Sequence, residues 1–116
     1  MSRLNKIINS TLTIVGVTAL LSTAAQAGPS FNCRTARVAA EHAICSSHRL
    51  SKLDRQMSRS YFRLMKHLKQ PGYRRYRREM RQDQRAWLRE RNRCGYSHGC
   101  LANKYELRIE MIEGWH

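Results

Sequence analysis

The sequence predicts an all-α protein, a small bundle cross-linked by disulfides in which two long antiparallel helices carry a shorter helix at each end. Three observations lead to this prediction. Apolar residues recur every three or four positions over two stretches of about twenty residues, and a single turn signal separates these stretches. No segment alternates between apolar and polar residues as a strand would. Four cysteines supply cross-links to a domain with little room for a core.

The first 27 residues are typical of a secretory signal peptide. A mostly apolar run extends from Ile7 to Leu21, and Ala25 and Ala27 occupy the small-residue positions of a cleavage site. The run is shorter than the ~20 apolar residues that a membrane span needs. We therefore expect cleavage near Ala27, a mature domain over residues 28–116 without a transmembrane segment, and a periplasmic or secreted location.

Cys33 and Cys45 enclose a stretch of helical composition that cannot be a single helix if these two cysteines are bonded. Twelve residues of α-helix would hold their Cα atoms ~18 Å apart, whereas a disulfide requires about 4.4–6.8 Å. A Cys33–Cys45 bond therefore predicts a helix only from about Val38 onward. Residues 33–37 must then run back alongside that helix.

The first long helix is predicted from about Ser47 to Leu68, with Ser47 as its N-cap. "QPGY" then predicts a turn, and the second long helix follows from about Gly72 to Asn92. The inward stripe of the first helix is Leu50, Leu53, Met57, Tyr61, Leu64 and Leu68, with Ser60 at the neighbouring turn. The inward stripe of the second is Tyr73, Tyr76, Met80, Gln84, Trp87, Leu88 and Arg91.

The stretch "CGYSHGC" is predicted to be a loop closed by its own cysteines. Cys94 ends one helix, and Cys100 precedes the last helix, which is expected from about Leu101 to Ile112. We favour the pairs Cys33–Cys45 and Cys94–Cys100, and the two other pairings remain open. The spacings C-x11-C and C-x5-C differ from those of structural zinc sites, and the C-x-x-C of redox or haem sites is lacking. The sequence thus predicts neither a metal nor a cofactor.

The chain carries a net charge of +14 at pH 7. Arg3 and Lys6 are the only charged residues of the proposed signal peptide, so the mature domain keeps a charge of +12. This excess favours anionic partners such as envelope components or, non-specifically, nucleic acid. The charge is concentrated on one face of the second long helix, where Arg77, Arg81, Arg85 and Arg89 are spaced by four and Arg74 and Arg78 extend the row.

This basic face has two interpretations, a docking surface for an anion or an ordinary solvated helix face. The aromatic residues of the same helix lie on its inward stripe, so they do not interleave with the charges as a base-stacking platform would. Catalysis is not indicated, because most acidic residues sit among arginines in the spacing of exposed ion pairs. Asp54, at the edge of the apolar stripe, is expected to form a structural ion pair with Arg91 or Arg108. G-x-S-x-G, H-E-x-x-H and P-loop patterns are missing, so the chain is not expected to be an enzyme.

The order of several residues resembles the exported domain family named after the lysozyme inhibitor LprI. The first half reads C-x2-A-x4-E-x2-IC-x4-L-x2-LD-x6-Y, from Cys33 to Tyr61. The second half reads Q-x2-WL-x2-R-x2-C-x5-C-x4-Y-x2-RI, from Gln84 to Ile109. The match covers nearly all of the mature chain. It implies a small helical domain with disulfides, located in the periplasm or outside the cell.

The resemblance also implies lysozyme inhibition, with lysozyme as the protein partner. The matched polar positions are expected to be inner, structural groups; they are Glu41, Asp54, Gln84, Trp87, Arg91 and Arg108. The loop residues Tyr96, Ser97 and His98 are candidates for contact with a lysozyme cleft, the alternative being an ordinary helix-to-helix turn. The alternative function is binding of a cationic domain to the envelope or to another polyanion through the Arg77–Arg89 face.

Overall fold

The computed structural model describes residues 14–17 and 27–115, which fold into four α-helices and one 3₁₀ helix. The 3₁₀ helix is Cys33–Thr35, and the α-helices are α1 (Ala39–Ser46), α2 (His48–His67), α3 (Arg74–Asn92) and α4 (His98–Glu113). The described residues include no strand, so the all-α prediction is confirmed. Most of the proposed signal peptide lies outside them. None of the described helices is long and apolar enough to cross a membrane.

The bond between Cys33 and Cys45 is present, with a Cα–Cα distance of 5.8 Å. The hook expected from the sequence is also present: α1 begins only at Ala39, and the chain before it is extended at Val38. Glu41 holds this entry in place by accepting hydrogen bonds from the backbone N–H groups of Arg37 and Val38, both at 3.2 Å. The N-terminal segment and α1 therefore form one cross-linked unit.

Serine side chains cap the N-termini of α2 and α4. Ser47 accepts a hydrogen bond from the N–H of Leu50 at 3.2 Å, as predicted for α2. Ser97 does the same for the N–H of Cys100 at 3.3 Å. This second cap was not predicted, and it moves the start of α4 forward from Leu101. Cys100 consequently lies in the first turn of α4 rather than before it.

The turn between α2 and α3 contains Gly72 with a φ of +91°, in the left-handed region that favours glycine. A residue in that conformation cannot belong to a right-handed helix, so α3 begins at Arg74 and not at Gly72. The register of side-chain contacts then fixes the helix directions. Met65 and Met57 of α2 receive hydrogen bonds from Arg77 and Gln84 of α3, so these two helices are antiparallel.

The last helix is longer than predicted and is the main packing partner of α2. Tyr105 of α4 contacts Asp54 of α2, and the later residue Glu113 contacts the later residue Ser60. Residue numbers therefore increase in the same direction along both helices, so α4 runs parallel to α2. Helix α1 contacts α2, α3 and α4. The domain is thus an up-down-up arrangement of three long helices, with α1 packed across them.

The core lies between α1, α2 and α4, with α3 contributing less apolar surface. Tyr105, Ile44, Leu50, Leu68 and Leu101 are its largest fully buried apolar side chains. Two apolar residues of the predicted inward stripes, Tyr76 and Leu88, lie outside the core. Tyr76 is 52% exposed, because it packs only along the edge of Tyr73 and Trp115 near the chain end.

Removal of either disulfide should lower the free energy of unfolding, and the Cys33–Cys45 bridge should matter more. Its bonded residues are 12 apart in sequence, against 6 for Cys94–Cys100, so it removes more entropy from the unfolded chain. In the loop-closure model this corresponds to about 3 kcal/mol for the longer loop and about half a kcal/mol less for the shorter. Urea unfolding of the two Cys→Ser double variants measures both values, and a larger loss for Cys94→Ser with Cys100→Ser would contradict the expected order.

Candidate functional site

The buried carboxylate of Asp54 joins three segments of the chain. Its side chain is 1% exposed. Oδ1 accepts a hydrogen bond from the Tyr105 hydroxyl of α4 at 2.8 Å, and Oδ2 accepts bonds from the backbone N–H and the hydroxyl of Ser30, both at 2.6 Å. A buried carboxylate without such donors would be strongly destabilising. Asp54 therefore ties α2 to α4 and to the N-terminal segment.

Arg91 of α3 completes this network. Its Nη1 donates to the Tyr105 hydroxyl at 3.2 Å and lies 3.9 Å from Asp54 Oδ1. Nη2 and Nε of the same guanidinium donate to Asn92 Oδ1 at 2.9 and 3.1 Å. The chain of donors from Arg91 through Tyr105 to Asp54 polarises each bond in one direction. Of the two arginines considered for Asp54, the structure places Arg91 beside it.

Arg108 instead forms a second polar cluster between α3 and α4. Its guanidinium donates to Gln84 Oε1 at 2.7 and 2.9 Å and to Asp83 Oδ2 at 2.6 Å. Gln84 in turn donates to the thioether of Met57 at 3.2 Å. The Trp87 ring lies beside both arginines, with centroid distances of 6.0 Å to Arg91 and 5.8 Å to Arg108. These contacts position α3 by cation–π and hydrogen-bond interactions rather than by apolar packing alone.

Burial raises the pKa of Tyr105 far above its ordinary value, and the neighbouring Asp54 carboxylate raises it further. The phenol therefore stays protonated and acts as a hydrogen-bond donor. A hydroxyl in this state is neither a nucleophile nor a base. The cluster is built to hold three helices and the N-terminal segment together, and it uses all the polar atoms that it buries.

The cross-linked loop between α3 and α4 is mostly exposed. Cys94 and Cys100 are bonded, with Cα atoms 5.6 Å apart, and Gly95 turns the chain with a φ of +56°. Tyr96 is 69% exposed at the tip. Ser97 is occupied as the cap of α4, and His98 is the exposed first residue of that helix. The loop therefore offers Tyr96 and His98, while Ser97 has a structural role.

The basic face of α3 is exposed, with one exception. Arg81, Arg85 and Arg89 are exposed, as are Arg74 and Arg78. Arg77 is half-buried because its Nε donates to the Met65 carbonyl of α2 at 3.3 Å. It therefore lies at the border of the row rather than in its centre.

The acidic residues of α3 are paired on its other side. Glu79 binds Arg75 at 2.7 Å, Asp83 binds Arg108 at 2.6 Å, and Glu90 lies 3.4 Å from Arg93. The bond to Glu79 also raises the pKa of Arg75. Within the described part of the chain, the arginines of the row have no carboxylate partner. One side of α3 thus carries its acidic residues, each paired with an arginine, and the other side carries arginines alone.

Sequence reasoning missed the contribution of the N-terminal segment and of the C-terminal aromatic cluster. Ser30 binds Asp54, and Phe31 lies 5.8 Å from the Arg91 guanidinium. The sequence signal for this contact was a single Phe shortly before the first cysteine. Trp115 packs against His67 and Tyr73 at 5.9 and 5.8 Å and borders a cleft of about 520 Å³. No periodicity marks Trp115, because it lies beyond the last helix.

Among the described residues, no three side chains of His, Cys, Asp or Glu come together in a geometry that could hold a metal ion. The four cysteines are all consumed by the two disulfides.

The family model described as lysozyme inhibitor LprI matches residues 32–111, a range that contains both disulfides, the buried network from Asp54 onward and the cross-linked loop. A search of curated proteins and a search of solved structures found no match.

Replacing Tyr105 with Phe should destabilise the domain by about 1–3 kcal/mol, because Asp54 loses a donor and Arg91 loses an acceptor in a buried site. The wild-type stability should also fall as pH rises above about 10, where the tyrosine ionises in the unfolded chain but not in the folded one. Tyr105→Phe should lack this contribution. Urea unfolding at several pH values tests both effects, with Tyr96→Phe as the exposed control. A Tyr105→Phe variant as stable as this control would contradict the expectation.

Proposed function

The chain belongs to the lysozyme inhibitor LprI family, and we propose that it is an exported, non-enzymatic binding protein that inhibits a lysozyme-type muramidase. The family match over residues 32–111 is the observation that carries this proposal. Residues 1–27 would act as the signal peptide and release the mature domain to the periplasm or the exterior. Two disulfides in a domain of this size suit such an oxidising compartment.

The loop from Cys94 to Cys100 is the proposed contact with the enzyme. Tyr96 is an exposed aromatic side chain on a segment whose ends are covalently closed, so little conformational entropy is lost when it binds. Tyrosine is among the residues that dominate binding energy at protein interfaces. A muramidase cleft carries two carboxyl groups, and a loop with hydrogen-bond donors such as the Tyr96 hydroxyl and His98 would complement them.

Charge should decide which muramidase is inhibited. The mature domain would carry +12, and a strongly basic lysozyme would be repelled at long range, which slows association. A weakly basic or acidic muramidase would lack this barrier. We therefore propose that the target is less basic than the chicken-type enzymes.

A second candidate function is binding to an anionic envelope component, or to nucleic acid non-specifically, through the α3 row. The observation that favours it is the pairing of Glu79, Asp83 and Glu90 away from the row. Exposed cations without internal partners give a surface potential that counterions or an anionic partner must balance. Arg81 and Arg85 lie in the middle of this surface.

The inhibitor proposal predicts that oxidised protein spanning residues 28–116 slows the lysis of cell walls by a muramidase, with a stronger effect on an acidic than on a basic enzyme. Tyr96→Ala should weaken inhibition by at least about tenfold, as expected for an aromatic anchor. Phe62→Ala is the matched control, since Phe62 is 66% exposed on α2. A lack of inhibition at micromolar excess against every muramidase tested would sink the proposal.

The anion-binding candidate predicts that binding to anionic vesicles, lipopolysaccharide or duplex DNA falls steeply as salt is raised, because screening acts on exposed charges. Arg81→Glu with Arg85→Glu should abolish that binding, while the melting temperature changes little. Sedimentation with vesicles and fluorescence anisotropy with DNA measure the two classes. Binding that is insensitive to salt, or that survives the double substitution, would count against this function.

A further inference from the structure

The N-terminal end of α3 concentrates arginines around a concave surface. Arg74, Arg77, Arg78 and Arg81 line a cavity of about 190 Å³. Arg74 and Arg77 also border a neighbouring cavity of about 410 Å³, formed with the turn between α2 and α3 and with Lys69. Neither cavity is lined by a carboxylate among the described residues. Five cationic side chains thus surround two adjoining hollows.

Helical geometry keeps these arginines within about one Debye length of one another. Arg74 and Arg81 are seven residues apart, ~10 Å along the axis, which is about one Debye length at 0.1 M salt. Arg89 lies ~22 Å from Arg74 and is largely screened from it. The first turn of α3 contains no acidic residue. The bond from Arg77 to the Met65 carbonyl holds one guanidinium at the rim before any ligand arrives.

We propose that this cavity binds a compact phosphate group carrying at least two negative charges, such as a phosphomonoester or a pyrophosphate. The inference rests on the proposed anion binding by α3 and narrows it to one end of the helix and to one ligand chemistry. The planar guanidinium forms paired hydrogen bonds with phosphate oxygens, and several arginines around one cavity suit an anion with many acceptor sites. A carboxylate would form such paired hydrogen bonds with only one or two of these arginines.

The site is remote from the cross-linked loop. Helix α3 has 19 residues and a length of ~28 Å, with the arginine cavity at its start and Cys94 just beyond its end. An occupied cavity therefore leaves Tyr96 free. Loss of phosphate binding and loss of muramidase inhibition should be separable by substitution, so the two proposals can fail independently.

The test compares two double variants that remove the same charge, one at the cavity and one on the exposed face of α2. Isothermal titration at about 0.15 M salt should show that the wild type binds inorganic pyrophosphate more tightly than it binds sulfate. Arg74→Gln with Arg78→Gln should weaken it by at least about tenfold, as expected when charge-assisted bonds are lost. Arg59→Gln with Arg63→Gln, which are exposed on α2 and lie outside both cavities and the α3 row, should change it by less than about twofold.

Vesicles distinguish the source of the phosphate. Binding to phosphatidylcholine vesicles that contain phosphatidic acid, displaced by pyrophosphate and weaker with phosphatidylglycerol, would assign the group to a lipid headgroup. Pyrophosphate binding without vesicle binding would assign it to a soluble ligand, and both results support the site.

Equal losses in the two double variants would overturn the site, because binding would then depend on net charge alone. Binding of duplex DNA that pyrophosphate does not displace, with no measurable binding of pyrophosphate, would overturn it in favour of an extended polyanion. Absence of all salt-sensitive binding would overturn both the site and the anion-binding function, while the muramidase assay on the same preparation would still report on the inhibitor proposal.

Discussion

The hydrogen bonds around the Asp54 carboxylate are the contacts on which the other contacts of the domain depend. Tyr105 brings α4 to it, Ser30 brings the N-terminal segment, and Arg91 brings α3. Removing one partner would leave a buried charged or polar group unpaired, which is costly in a medium of low dielectric constant. Asp54 thus links α4, the N-terminal segment and, through Tyr105, the Arg91 side chain of α3, beside the apolar core of α1, α2 and α4.

This polar centre explains how α3 can be so rich in charge and still belong to the bundle. Its inward side offers few apolar groups, and Met80 is its only buried apolar residue in the described chain. Gln84, Arg91 and the neighbouring Trp87 supply the remaining contacts through hydrogen bonds and cation–π interactions. The outward side is thereby freed from any packing role. The arginines of the row lie on this outward side, and the acidic residues of α3 are paired on its other side.

The two disulfides act at opposite ends of the sequence and in different ways. Cys33–Cys45 holds the hooked segment whose preceding residues reach Asp54, so it supports the buried network. Cys94–Cys100 closes a short turn that leaves Tyr96 exposed, so it shapes a surface. The family match spans both bridges; the proposed inhibition uses the loop that Cys94–Cys100 closes, and the proposed phosphate site lies at the other end of α3.

Local chemistry made much of this fold predictable from sequence. Periodicity predicted the long helices, Ser47 predicted the start of α2, and disulfide geometry predicted the hook before α1. Tertiary structure decided what lies across the helix interfaces: that Arg91 rather than Arg108 meets Asp54, that Ser30 binds the same acid, and that Tyr76 stays exposed. The physical reason is that periodicity determines the direction of a side chain on its own helix. Which group that side chain meets depends on where another helix crosses and how far its side chains reach.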